Sequence, residues 1–189
     1  FKEYFLNFRN LNSDFKINLS DGNISFYKNE NVDWKITLID TGKETMTGGR
    51  LKRLKNYLND KPFFLTYGDG LANVDISKLL EFHKKHGKLV TLTAVRPPAR
   101  FGVLSFENDD VVKSFQEKSQ LSEGWINGGF FVIEPEIFKY IKNDKTYFER
   151  APLEKIANKG ELSAFKHHGF WQCMDTLRDK EILEKKLKN

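Results

Sequence analysis

Two short segments of this chain place a carboxylate where a phosphorylated ligand could be held. The first is Thr66-Tyr67-Gly68-Asp69-Gly70, which follows the apolar run Phe63-Phe64-Leu65. A carboxylate between two glycines just past a strand lies where ligands gather in open α/β sheets, beyond the carboxyl ends of the strands. A plain Asp-Gly turn is the competing explanation. The second is Asp175 in Gln172-Cys173-Met174-Asp175-Thr176-Leu177-Arg178-Asp179, at the start of a closing helix. A carboxylate there complements the positive end of the helix macrodipole, so capping alone would account for it. If the two met, they would suit Mg²⁺, which takes one or two carboxylates together with substrate phosphates. Sequence spacing does not bring them together.

Three further segments could contact such a ligand. Thr45-Met46-Thr47-Gly48-Gly49-Arg50 sets hydroxyls, two glycines and a guanidinium at a helix start whose amides would face an anion. It lacks the Lys-Ser/Thr ending of a P-loop, and a capped helix with Thr47 as N-cap is compatible with it. Phe115-Gln116-Glu117-Lys118 ends a strand with a carboxylate for sugar hydroxyls and an ammonium for a phosphate, or simply with a solvated pair. Trp125-Ile126-Asn127-Gly128-Gly129-Phe130-Phe131 puts an amide and two glycines ahead of an aromatic strand, as close packing on a polar ring or a bulge would require. His83 and His86, and the pair His167-His168, complete no metal set.

The elements that would position these residues alternate. A helical face of Tyr4, Phe5 and Phe8 precedes a hairpin in which Phe15–Leu19 and Ile24–Tyr27 flank Asp21-Gly22-Asn23. Strands are expected at Trp34–Ile39, Phe63–Leu65, Leu89–Val95, Val103–Phe106, Val111–Phe115, Gly129–Ile133 and Leu162–Phe165. Helices are expected through Leu51, Leu54 and Leu58, from Ser77 to a terminating Gly87, near Pro135–Ile141 and Pro152–Asn158, and over Thr176–Leu187. Arg96-Pro97-Pro98-Ala99-Arg100 must be a loop, because paired prolines cannot continue a central strand. The alternation predicts an α/β sheet covered on both faces.

Composition bounds the rest. The 189 residues make about one domain, with no repeat, low-complexity tract or linker, and one domain over 1–189 is expected. No apolar run reaches the roughly 18 residues of a membrane span. The single cysteine, Cys173, excludes a disulfide scaffold and fits a cytoplasmic setting. The net charge of +5 is diffuse, with 24 lysines to 7 arginines spread through helical segments, which argues against nucleic acid as a partner.

Taken in order, Asp40-Thr41-Gly42, Thr45 to Arg53, Thr66 to Gly70, Arg96 to Gly102, Phe115 to Lys118, Trp125 to Phe131 and Gly169 to Lys180 resemble the glucose-1-phosphate cytidylyltransferase family. The resemblance runs from about Trp34 to the end of the chain and is looser over residues 1–33. It implies a Rossmann-like nucleotidyltransferase fold with a mixed, mostly parallel central sheet flanked by helices. It also implies transfer of the CMP moiety of CTP to α-D-glucose 1-phosphate, giving CDP-glucose and pyrophosphate for bacterial deoxysugar and O-antigen synthesis. Asp69 and Asp175 would be the Mg²⁺ ligands and, with Lys118 on the sugar phosphate, the catalytic set. Thr45, Arg50 and Gly68 would contact the nucleotide, and Glu117, Asn127 and Gly129 would face glucose. A homo-oligomer is implied too. The family's Gly-Gly-x-Gly-Thr-Arg loop and Pro-Lys-Pro lysine are expected ahead of Phe1, so weak or absent turnover is expected of these residues alone. Ser119 stands where related enzymes carry proline in Phe-x-Glu-Lys-Pro. A UTP- or dTTP-dependent sugar-1-phosphate nucleotidyltransferase, or a non-catalytic sugar-nucleotide-binding module, are the alternatives.

Overall fold

The computed structural model describes residues 1–27, 32–58, 60–97, 103–107, 110–116 and 124–188. The chain packs as two compact units, Phe1–Asp40 and Thr41–Asn189.

In the first unit, helices α1 (Lys2–Leu6) and α2 (Phe8–Asn12) precede a hairpin of β1 (Phe15–Ile17) and β2 (Ile24–Phe26). The aromatic face expected near the start is real: the Tyr4, Phe5 and Phe8 rings lie within 6.5 Å of one another between centroids. Gly22 adopts φ 74° in the hairpin loop, where the Asp21 carboxylate accepts from the Asn23 amide. The strand expected at Trp34–Ile39 is not formed. Residues 32–40 make no ladder with any described strand, and an extended segment becomes a strand only when a neighbouring edge takes up its amides and carbonyls.

The second unit runs α3 (Thr47–Arg53), α4 (Lys55–Leu58), β3 (Phe63–Thr66), β4 (Gly70–Ala72), α5 (Ile76–His86) and β5 (Val90–Val95). It continues with β6 (Val103–Phe106), β7 (Val112–Gln116), β8 (Ile126–Ile133), a 3-10 turn over Pro135–Tyr140, α6 (Ala151–Asn158), β9 (Leu162–Lys166), β10 (Trp171–Cys173) and α7 (Leu177–Leu187). Four strands form the central sheet in the order β3-β8-β5-β9. The expectation of mostly parallel pairing is corrected: two of its three ladders are antiparallel, and only β5·β9 is parallel. The cause is β8. It runs opposite to β3, β5 and β9 and sits between two of them, so three co-directional strands make one parallel contact.

The central strands are buried on both faces, as parallel-type strands usually are. Phe131, Val132 and Ile133 of β8 and Val90 of β5 are fully buried, and Phe63, Ile137, Phe138, Phe148, Leu153 and Ile156 complete the core with Leu51 of α3. The paired glycines of α3 belong to this packing. A Cβ on Gly49 would lie 2.5 Å from the Asp144 backbone, and one on Gly48 2.8 Å from the Thr146 carbonyl. Gly87 closes α5 in the left-handed conformation, as its position predicts.

Candidate active site

Because β3, β5 and β9 run one way, their carboxyl ends share an edge with the amino end of β8. Asp69 lies past β3 at this edge and immediately precedes β4, a short strand not foreseen from the sequence. β4 pairs antiparallel with the equally unforeseen β10, with Gly70 opposite Cys173, and the Met174 amide donates to the Asp69 carbonyl at 2.8 Å. The ladder therefore sets Asp69 beside Met174 and one residue from Asp175. Both carboxylates belong to exposed residues.

The capping explanation for Asp175 does not hold. Thr176 is the N-cap of α7, its hydroxyl accepting from the Asp179 amide at 3.2 Å while the Asp179 carboxylate accepts from the Thr176 amide at 3.0 Å. Asp175 stands outside this capping box, where its Oδ2 accepts from Cys173 Sγ at 3.2 Å. Among the described residues no cluster of three or more His, Cys, Asp or Glu could hold a metal. Two exposed carboxylates fit an ion that takes its remaining ligands from phosphates and water.

The glycines at the edge differ in kind. Gly68 is exposed, and a Cβ there would meet nothing within 4 Å, so space exists for a ligand. Gly129 is buried with φ 80°, a Cβ would strike the Tyr67 ring at 2.7 Å, and its amide donates to Asn127 Oδ1 at 2.9 Å. Its carbonyl accepts from the Tyr67 amide at 3.2 Å. Gly129 thus seats Tyr67 and fixes the Asn127 amide.

From Asn127 a polar chain runs through Tyr67 and Glu149 to Thr47. Asn127 Nδ2 donates to Tyr67 Oη at 3.2 Å, Tyr67 donates to Glu149 Oε1 at 2.8 Å, and the Thr47 hydroxyl donates to Glu149 Oε2 at 2.6 Å. The Phe148 amide donates to Thr47 Oγ1 at 2.9 Å. Burial, followed by the bond to Glu149, raises the Tyr67 phenol well above its usual range and keeps it a neutral donor. Thr47 is the first residue of α3 rather than its cap, which is Met46. Its hydroxyl serves Glu149, 102 residues away, and the Phe148 amide.

Ahead of α3, Thr45 is 5% exposed and its amide donates to the Gly42 carbonyl at 3.4 Å, with Gly42 at φ 82°. Arg50 donates to Thr41 Oγ1 at 2.8 Å and to the Lys43 carbonyl at 3.1 Å, so it ties down the Thr41–Lys43 loop. Arg53 grips Asp144 through two bonds of 2.7 and 3.1 Å, which hold the Asp144 carboxyl below its usual range. Glu117 and Lys118 lie outside the described residues. Sequence reading missed Glu149, which no motif flags, and passed over Tyr67 inside a motif it did single out.

His83 and His86 serve packing. His83, 1% exposed, shares the Thr91 hydroxyl with His86 at 2.7 Å each and reaches Glu134 at 3.2 Å.

Residues 17–176 match the model of the nucleotidyl transferase family, to which this α/β chain belongs. The solved structure of HddC from Yersinia pseudotuberculosis superposes with a TM-score of 0.62 at 24% identity, covering 82% of this chain and 68% of that one. The inositol-1-phosphate CTP transferase from T. maritima does so with a TM-score of 0.51 at 16% identity, covering 75% and 61%. Both show an α/β nucleotidyltransferase fold. The glucose-1-phosphate cytidylyltransferase of Salmonella typhi is 48% identical over 184 residues, which span 97% of this chain and 71% of that protein. The chain belongs to the glucose-1-phosphate cytidylyltransferase family. Among the described residues no helix is long and apolar enough to cross a membrane.

Proposed function

We propose that this chain transfers the cytidylyl group of CTP to α-D-glucose 1-phosphate, giving CDP-glucose and pyrophosphate. The observation that carries the reading is the β4·β10 ladder, which joins Asp69 to the segment of Asp175 beside an edge open to ligand at Gly68. A phosphate oxygen of glucose 1-phosphate attacks the α-phosphorus of CTP. The new O–P bond forms as the α–β anhydride bond breaks, and the electron pair leaves on pyrophosphate. No covalent enzyme intermediate is needed, so the protein contributes position and charge.

In this reading Asp69 and Asp175 hold Mg²⁺, which when bound supplies positive charge to the phosphates. Lys118 holds the sugar phosphate, and Glu117 and Asn127 take glucose hydroxyls, with Gly129 supporting Asn127. Gly68 admits the nucleotide, and Thr45 and Arg50 shape the loop beside it. Asn127 is well suited to its part. Tyr67 and the Gly129 amide fix which end of its amide is the donor, leaving one N–H and one lone pair to face a hydroxyl. A homo-oligomeric enzyme of the bacterial cytoplasm, serving deoxysugar and O-antigen synthesis, goes with the same family reading.

The test is pyrophosphate release at saturating Mg²⁺. Asp69→Asn and Asp175→Asn each lower it by about a hundredfold or more, the scale of losing a charge aimed at the reacting phosphates. Unchanged rates would remove both residues from the reaction.

A further inference from the structure

Two residues before Asn127, three groups able to carry positive charge surround a single indole. The Arg96 guanidinium carbon lies 4.9 Å from the centroid of Trp125 and Lys166 Nζ 5.4 Å, while the His168 ring meets Trp125 edge-on at 5.2 Å. The register explains the meeting. Ala94 of β5 pairs with Asn127 on one side and Lys166 on the other. Arg96, Trp125 and His168 each lie two residues farther toward the carboxyl edge, on the same face by the two-residue period of a strand.

Neither Arg96 nor Lys166 has an ion-pair partner among the described residues. Arg96 Nε is buried without a hydrogen-bond partner. The two charges are no more than about 10 Å apart and repel each other. The indole face attracts both cations but offers no lone pair to an N–H in the guanidinium plane. A buried donor left unmet is uncommon and costly, and here an oxyanion would satisfy the donor and both charges at once. Arginine's planar fork matches phosphate oxygens, with lysine as the supporting point charge.

We propose that Arg96, Lys166 and Trp125 form a site for a phosphate group, carried either on a sugar monoester or as inorganic phosphate. The site follows from the cluster alone. Only the choice of glucose 1-phosphate as the monoester rests on the cytidylyltransferase reading.

The test follows the indole and Arg Nε–H resonances of ¹⁵N-labelled protein, assigned with Trp125→Phe and Arg96→Gln, during titration with inorganic phosphate and with sodium chloride at matched ionic strength. The Trp125 and Arg96 signals move saturably with phosphate and not with chloride. Arg96→Gln weakens binding about tenfold or more, as losing a charge-assisted bond would, and Lys166→Gln weakens it less. Tighter binding of glucose 1-phosphate than of inorganic phosphate identifies a monoester site, and equal binding a free-phosphate site. Absence of a phosphate-specific shift at Trp125 overturns the proposal, as does unchanged affinity in both variants. Lys166 belongs to an exposed residue, so Lys166→Gln decides the matter if Arg96→Gln does not fold. CDP-glucose formation without a shift at Trp125 sinks the site and spares the reaction. A shift without CDP-glucose formation does the reverse.

Discussion

Glu149 holds together residues that lie far apart in the sequence. Its two oxygens accept from Tyr67 and Thr47, so one carboxylate joins the residue before Gly68 to the first turn of α3, and through Tyr67 it orients Asn127. Both partners donate to it. Glu149→Gln presents an amide N–H to one of those donors and leaves it unpaired. A double-mutant cycle with Tyr67→Phe, read by denaturant unfolding, gives a coupling of about 1.5 kcal/mol or more, the range for a hydrogen bond to a charged group. Additive effects would show that the bond contributes nothing to folding.

At the level of elements, α5 is tied to β5 by a relay whose proton positions are fixed at one end. The Lys88 amide donates to His86 Nδ1 at 2.9 Å, so the neutral ring carries its proton on Nε2 and donates to Thr91. The Thr91 hydroxyl then donates to His83 Nδ1, and His83 Nε2–H points to Glu134. A second proton on His86 would face the Lys88 amide. Burial, then the neighbouring His83, lowers the His86 pKa below its ordinary 6.5. The unfolded chain therefore binds the extra proton first. The stability this relay contributes is fully present above about pH 6.5 and is lost as the pH falls toward the folded value. The urea midpoint drops between pH 7 and 5.5, and the drop is much smaller in His86→Gln. An equally steep drop in that variant would acquit His86.

For the molecule as a whole, the family likeness extends over 97% of the chain at 48% identity, so the choice of base should follow that of the Salmonella relative. Cytosine offers a donor at N4 and an acceptor at N3, and uracil and thymine reverse both. A buried site built for one pattern leaves two groups unpaired with the other, a penalty of a hundredfold or more by order of magnitude. CTP is thus expected to exceed UTP and dTTP in kcat/KM by about that factor. Comparable values for UTP or dTTP would make the chain a different sugar-1-phosphate nucleotidyltransferase.

The sequence by itself determined the helices and most of the strands, because periodicity, turn residues and caps are local properties. Gly87 and the Asp21-Gly22-Asn23 turn were legible for that reason, as was Asp69 past its strand. Pairing was not legible. The strand expected at Trp34–Ile39 depends on a neighbouring edge, and β4 and β10 are three residues each, too short to show a period. The antiparallel course of β8 between two co-directional strands is likewise invisible in its apolar run. Tertiary structure alone decided that the Asp69 carbonyl meets the Met174 amide across the β4·β10 ladder, and that Glu149 links Thr47 to Tyr67. Each is a contact between segments distant along the chain, fixed by sheet register and burial, and neither leaves a mark on local composition.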